Sequence, residues 1–178
     1  MSRYPFPLLV TLVATQGLSR ADDFKPEPGF VRLDTGTDLK GWAAPTDGWS
    51  VVDGAIHLDS KKAKGHLYYE RPHSANAVIR LQFRATPGAD SGLYVHGKQL
   101  QVRDYPKAGP KEYARSAKPA GEWNDLEFDI TDGVATVKLN GKVIEKAWKI
   151  GDKADKGVGL QRESGDFDFR HIRLMEKK

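Results

Sequence analysis

The chain of 178 residues contains no cysteine. That excludes disulfides, thiolate metal sites, a cysteine nucleophile and a lipid-modified N-terminal cysteine. A large charge excess is also missing: 28 basic residues against 24 acidic ones leave a net +4. The first 21 residues hold Arg3, Arg20 and no acid, so beyond them 26 against 24 leave +2. An excess that small and that evenly spread argues against nucleic acid as a partner. The five histidines His57, His66, His73, His96 and His171 show no His-x-His or His-Glu-x-x-His spacing. Asp166 and Asp168 lie in no recognisable calcium loop, so no cofactor is expected. Neither a Gly-x-Ser-x-Gly elbow nor a Gly-rich phosphate loop occurs, and Ser91 before Gly92 reads as a turn or cap hydroxyl.

Long apolar runs are scarce. The one near the start, Phe6 to Ala14, is too short for a membrane span and is broken by Pro7 and flanked by Pro5 and Gly17. Arg3 precedes it and Ser19-Arg20-Ala21 follows, the pattern of a secretory signal peptide cleaved after Ala21. The expectation is therefore a secreted or periplasmic protein with no stable membrane insertion after cleavage. Residues 22–28, with Pro26 and Pro28, read as a flexible lead-in, and residues 29–176 as a single domain.

Within that domain, short alternating runs are separated by Asx-Gly and Pro-Gly turns. Trp49 and Val51 lead to Asp53-Gly54 and then Ile56 and Leu58. Ile79, Leu81 and Phe83 alternate with Arg80, Gln82 and Arg84. Leu126, Phe128 and Ile130 precede Asp132-Gly133, and Ala135, Val137 and Leu139 precede Asn140-Gly141. No convincing helical stretch appears. Eight or more such strands predict an all-β fold, a sandwich or a barrel. The Pro-rich loop from Pro106 to Gly121 is long for a compact β domain and reads as a binding-site wall or an excursion.

The hairpin Asp90–Tyr105 stands out. Leu93, Val95, Leu100 and Val102 form an aliphatic side. Tyr94, His96, Gln99, Gln101, Arg103 and Tyr105 fall on the other, with the turn placed at Gly97-Lys98. Rings interleaved with amides and a guanidinium suit a hydroxyl-rich ligand such as a carbohydrate. Among carboxylates that could act as a proton acceptor, Glu163, in the polar turn Gln161-Arg162-Glu163, is favoured over Asp90, Asp104, Glu122 and Glu127. Glu127 and Asp129 alternate with core residues and read as solvated or cross-strand paired. Trp42, Trp49 and Trp123 read as core or rim packing.

Several motifs, in order, resemble the 3-keto-disaccharide hydrolase domain family. They are Asp38-Leu39-Lys40-Gly41-Trp42, Trp49 to Ile56, Asp90-Ser91-Gly92-Leu93-Tyr94, Lys118-Pro119-Ala120-Gly121-Glu122-Trp123-Asn124, Asn140-Gly141, Gly157 to Gln161, and Phe169-Arg170-His171-Ile172. The resemblance covers about residues 29–175. It implies a concanavalin A-like, jelly-roll β-sandwich, exported by bacteria, that cleaves the glycosidic bond of sugars oxidised at the 3-position. A 3-keto group acidifies the C2 proton, so a base can remove it and the glycosyl substituent can leave by elimination, with water added afterwards. Where the family carries an acid in a Tyr-Glu-Val-Gln run, this chain has Leu100-Gln101-Val102-Arg103, with an amide at Gln101. The expected proton acceptor is then Glu163 or His96. Asp90, Tyr94, Gln101, Arg103, Trp123, Gln161 and Arg170 are the expected substrate contacts. The missing acid keeps a second reading open, a non-catalytic carbohydrate-binding module on the same fold.

Overall fold

The computed structural model describes residues 22–43, 47–103, 111–151, 153 and 157–178, of which the side chains of residues 103, 111 and 112 are not described. The segment read as a signal peptide lies outside them. The fold is an antiparallel β-sandwich. The larger sheet contains β1 (Val31–Arg32), β3 (Trp49–Val52), β4 (Ala55–Leu58), β6 (Ala77–Ala85), β9 (Asn124–Thr131), β10 (Val134–Leu139), β11 (Lys142–Lys149) and β13 (Phe167–Glu176). Its order is β11-β10-β9-β6-β13-β4-β3, with β1 also paired to β13. The smaller sheet runs β2 (Trp42–Ala43), β5 (Leu67–Tyr69), β12 (Val158–Leu160), β7 (Asp90–Val95), β8 (Lys98–Arg103).

Period-two alternation decides which residues meet between the sheets. Leu81, Phe83, Leu126, Phe128, Phe167 and Phe169 of the large sheet face Leu67, Leu93, Leu100, Val102 and Leu160 of the small one in a single core. Phe83, Phe128, Phe167 and Phe169 are almost completely buried. Each contributes about 1.5–3 kcal/mol relative to an exposed ring. Trp42 and Trp49 belong to this core, and their indole N–H groups donate to the carbonyls of Leu33 and Gly65.

The Asx-Gly pairs do what they promise. At Asp53-Gly54, Asp132-Gly133 and Asn140-Gly141 both residues have positive φ, as a two-residue type I′ hairpin turn requires. His96-Gly97 behaves identically, and Val95 pairs with Lys98. The turn therefore lies one residue earlier than Gly97-Lys98.

Part of the Pro106–Gly121 loop is helical: α1 spans Lys111–Ser116. Its Tyr113 ring enters the core. Residues 104–110, including Asp104 and Tyr105, lie outside the described residues. The Lys-Pro-Ala-Gly-Glu-Trp-Asn motif following α1 is a structural lock. Buried Asn124 accepts from the Lys118 N–H (2.8 Å) and from Asn140 Nδ2 (2.9 Å), while Asn140 also donates to Ser116 O (2.7 Å).

Residues 22–28 lie against the outer side of the large sheet. Phe24 stacks on His171 with ring centroids 3.9 Å apart, and Glu27 accepts from the Arg173 guanidinium at 2.6 and 2.9 Å.

Candidate functional site

The outer face of the small sheet is built by cross-strand register. On β7 and β8, Tyr94 stands opposite Gln99, Gly92 opposite Gln101, and Asp90 opposite Arg103. On the other side of β7, Gly159 of β12 lies between Tyr94 and Tyr68 of β5. Beyond β12 the pairing goes on with a bulge. The Gln161 N–H donates to Gly92 O (2.8 Å), and Asp90 and Ser164 exchange backbone bonds of 2.7 and 3.0 Å. Two residues on β7 thus face a three-residue advance on the partner, which loops Arg162 and Glu163 outward. The Ser91 hydroxyl, fully buried, donates to Gln161 O (2.8 Å) and fixes where that loop begins.

The side chains on this face form one hydrogen-bonded chain. Gln99 Nε2 donates to Gln101 Oε1 and to Gln161 Oε1, both at 2.7 Å. Gln101 Nε2 donates to Asp90 Oδ1 and lies 3.4 Å from Glu163 Oε2. An amide has two N–H donors and one acceptor oxygen, so this wiring settles every orientation. Asp90 is an acceptor only, and it therefore turns the NH₂ of Gln101 toward itself. Gln101 Oε1 then faces Gln99, whose two protons are both committed. Gln99 Oε1 is left as an acceptor and Gln161 Nε2 as a donor, a pair suited to a sugar hydroxyl.

Two glycines make room for it. A Cβ on Gly92 would sit 2.6 Å from Gln99 Nε2 and 2.7 Å from Gln161 Oε1; one on Gly159 would sit 2.5 Å from the Tyr68 ring. Their bare backbone lets amides and rings lie flat on the sheet.

Beside the amides lies an aromatic group. The His66 ring is 5.3 Å from Tyr94 and 6.2 Å from Tyr68, and the two tyrosines are 5.9 Å apart. The Arg162 backbone N–H donates to His66 Nδ1 at 3.1 Å. Burial holds the His66 imidazole below its ordinary titration range; the Glu163 carboxylate opposes this and Arg162 adds to it. Burial, with Tyr94 beside it, pushes the Tyr68 phenol up.

Asp90, Tyr94, Gln101, Gln161 and Glu163 thus come together as the sequence suggests. The Arg103 backbone joins them, and its side chain lies outside the described residues. Three expected residues stand elsewhere. Simple alternation places His96 with Tyr94, but its left-handed φ of 51° turns the chain there and carries the ring inward. It is 1% exposed, its Nδ1 bonds to Gly151 O at 2.7 Å, and its ring lies against His73. Trp123 and Arg170 sit on the outer face of the large sheet instead. There Arg170 covers the indole at 3.9 Å and donates to Gln82 Oε1 at 2.8 Å. Alternation gives a residue's side of its own strand, and only pairing gives the sheet: β12 and β13 are consecutive yet belong to different sheets.

Alignment with the strands also brings in His66, Tyr68 and Gln99. Gln99 was legible in the hairpin alternation. The three-residue alternation His66-Leu67-Tyr68 was present too, but was too short to mark a strand.

A cavity of about 370 Å³ on the large sheet competes for attention. Its charged lining is already self-compensated: Glu127 binds Arg80 (2.7 Å) and Lys138 (2.9 Å). Asp168 is likewise held by His57 and Arg84, and Asp166 by the Ser60 N–H and hydroxyl. Among the described residues no group of three or more His, Asp or Glu is arranged to hold a metal ion, and no helix is long and apolar enough to cross a membrane.

The fold is a two-sheet antiparallel sandwich of the lectin-like β-sandwich class, with amides, rings and carboxylates gathered on one exposed sheet. Residues 29–175 match the model of the 3-keto-α-glucoside-1,2-lyase-like domain, and the chain belongs to that family. Solved structures agree on the fold. A candidate glycosyl hydrolase from Parabacteroides distasonis superposes with a TM-score of 0.67 at 18% identity, covering 84% of this chain and 95% of that one. The exoplasmic domain of VIP36, bound to Ca²⁺ and Man3GlcNAc, gives 0.54 at 10% identity over 84% and 89%. The carbohydrate-binding module CBM66 of Bacillus subtilis gives 0.55 at 10% over 76% and 96%. Among curated proteins no match was found.

Proposed function

We propose that the chain is an exported enzyme that cleaves 3-keto-glycosides by elimination, using the outer face of the small sheet. The observation that carries this reading is the Asp90–Gln101–Gln99–Gln161 chain with Glu163 beside Gln101. Glu163 takes the C2 proton. The C2 electron pair passes into the C2–C3 bond, giving an enolate at the C3 oxygen. The enolate then collapses, forming C1=C2 as the C1–O bond to the leaving sugar breaks, and that sugar's oxygen takes up a proton. Gln99 and Gln161 hold ring hydroxyls, and Asp90 keeps the amide chain oriented. Tyr68 and Tyr94 give the sugar a flat, amphipathic wall.

In the family's Tyr-Glu-Val-Gln run the acid and the amide lie two residues apart, on one face. Gln99 and Gln101 occupy one face in the same way, so either register leaves an amide where the acid stands. This favours a second reading, a binding module that holds the sugar without turning it over. Incubating the purified protein with 3-keto-trehalose and aryl 3-keto-glucosides separates the two. The enzyme releases the leaving sugar, and in D₂O exchanges the C2 proton. Saturable calorimetric binding with neither release nor exchange would establish the module instead.

A further inference from the structure

The amides alone do not account for recognition of the keto oxygen. They leave one acceptor, Gln99 Oε1, and one donor, Gln161 Nε2, and a hydroxyl can use both, so the amide chain by itself favours a 3-hydroxy sugar at least as well as its 3-keto form. A site selective for the ketone needs a fixed donor with no acceptor partner role at the same atom, because a carbonyl oxygen only accepts. His66 is built that way. The Arg162 N–H donating to Nδ1 at 3.1 Å is a backbone amide that keeps its proton, so Nδ1 retains its lone pair and the ring proton is on Nε2. Forming the imidazolium would place two N–H groups head to head. Burial also resists that charge, as does the neighbouring Arg162, while the Glu163 carboxylate works against them. Packing near Tyr68 and Tyr94 holds the plane of the ring.

We propose that His66 is the specificity-determining residue for the oxidised sugar: a neutral imidazole, locked as the Nε2–H tautomer, that donates to the C3 carbonyl oxygen and to the enolate oxygen formed there. A neutral imidazole is a weak enough acid to stabilise an enolate by hydrogen bonding without surrendering its proton. It is also spared the protonation that would make it compete with Glu163 for the C2 proton. This inference rests on the reading of the small-sheet face as the sugar site, and its test can fail independently of the elimination chemistry.

Two measurements on the intact protein test it. ¹⁵N NMR of the imidazole nitrogens is expected to show a pyridine-like Nδ1 and a pyrrole-like Nε2 for neutral His66, with a titration midpoint below 6.5. A proton on Nδ1, or titration at that ordinary pH, would overturn the assignment. Calorimetry then compares a 3-keto-glucoside with its 3-hydroxy parent. His66→Ala should lose about tenfold in affinity for the keto ligand and less than about twofold for the parent. His66→Gln, which can bring an N–H donor to the same place, should recover much of the difference, and His66→Phe should not. Equal losses for both ligands, or none, would sink the proposal. Retained keto preference, dependent on His66 but without bond cleavage, would refute the elimination and leave the His66 assignment standing.

Discussion

The two outer faces of this sandwich are made from the same kinds of residue and use them in opposite ways. On the large sheet many charges meet an opposite charge: Arg80 and Lys138 on Glu127, Arg84 and His57 on Asp168, Arg173 on Glu27, Lys177 on Asp129. Even the Trp123 indole is covered by Arg84 and Arg170. Such a face satisfies itself. On the small sheet the described contacts run through neutral amides and rings, and the carboxylates Asp90 and Glu163 both approach the Gln101 amide. The amide chain ends in an acceptor and a donor that the protein does not use up within it. The difference teaches that polarity alone does not mark a binding face: what matters is whether the hydrogen-bonding capacity closes on itself or is left directed outward.

The largest expected effect is on turnover. Glu163→Gln keeps the shape and removes the proton acceptor, so the rate of keto-glycoside cleavage should fall about 10²–10⁴-fold while calorimetric binding stays within a few-fold. Unchanged turnover would show that the small-sheet face is wrongly credited with the base. Next comes the glycine floor. Gly92→Ala pushes apart Gln99 and Gln161, whose amide ends lie 2.6 and 2.7 Å from the new methyl. Because those ends are flexible and Gly92 does not have a left-handed φ, the fold should survive. Sugar affinity should drop about tenfold or more, the value of one or two directed hydrogen bonds.

Asn124→Ala offers the reverse outcome. It opens the buried lock between Lys118, Asn124 and Asn140, costing about 1–3 kcal/mol, or roughly 2–4 °C in Tm per kcal/mol for a chain of this size. Ligand affinity below the transition should be unaffected. Glu127→Gln on the self-compensated face should be smaller still, about 0.2–1 kcal/mol by chemical denaturation, with no change in sugar binding. A loss of binding there would mean that the ion-paired face also takes part.

The pH dependence sharpens the same contrast. His73 and His171 are held below their ordinary 6.5, chiefly by burial. The folded state therefore refuses protons that the unfolded chain accepts, so their neutral forms stabilise the fold fully above 6.5 and progressively less as pH falls below it. Glu27 is lowered to about 2, first by its hydrogen bond to Arg173, and its contribution is present above 4.5 and lost as pH falls toward 2. Tm measured by calorimetry should thus begin to fall below 6.5 and fall again below 4.5. A Tm flat through both windows would contradict these ties of residues 22–28 and His171 to the large sheet.

Much of this was readable from the letters. Alternation at Leu93-Tyr94 and Leu100-Gln101 separates core from surface, because a strand's side chains point to opposite faces whatever lies beyond it. Asp53-Gly54, Asp132-Gly133 and Asn140-Gly141 mark hairpins, because few residue pairs tolerate two successive positive φ values. His96 shows where local reading runs out: its place in the alternation is ordinary, and its left-handed backbone becomes evident only once the register of β7 on β8 is known.

By itself, then, the sequence determined the all-β class, the Asx-Gly turns and the inward or outward side of most strand residues, all of which depend on neighbours a few positions away. Only the tertiary structure decided which outward residues share a surface. Gln161 and Arg170 are nine positions apart and end on opposite sides of the sandwich, because β12 pairs with β7 and β13 with β6. His66, Gln99 and Glu163, far apart in the chain, converge on one face. Strand pairing is a contest among distant segments for hydrogen bonds and buried area, and no local pattern records its outcome.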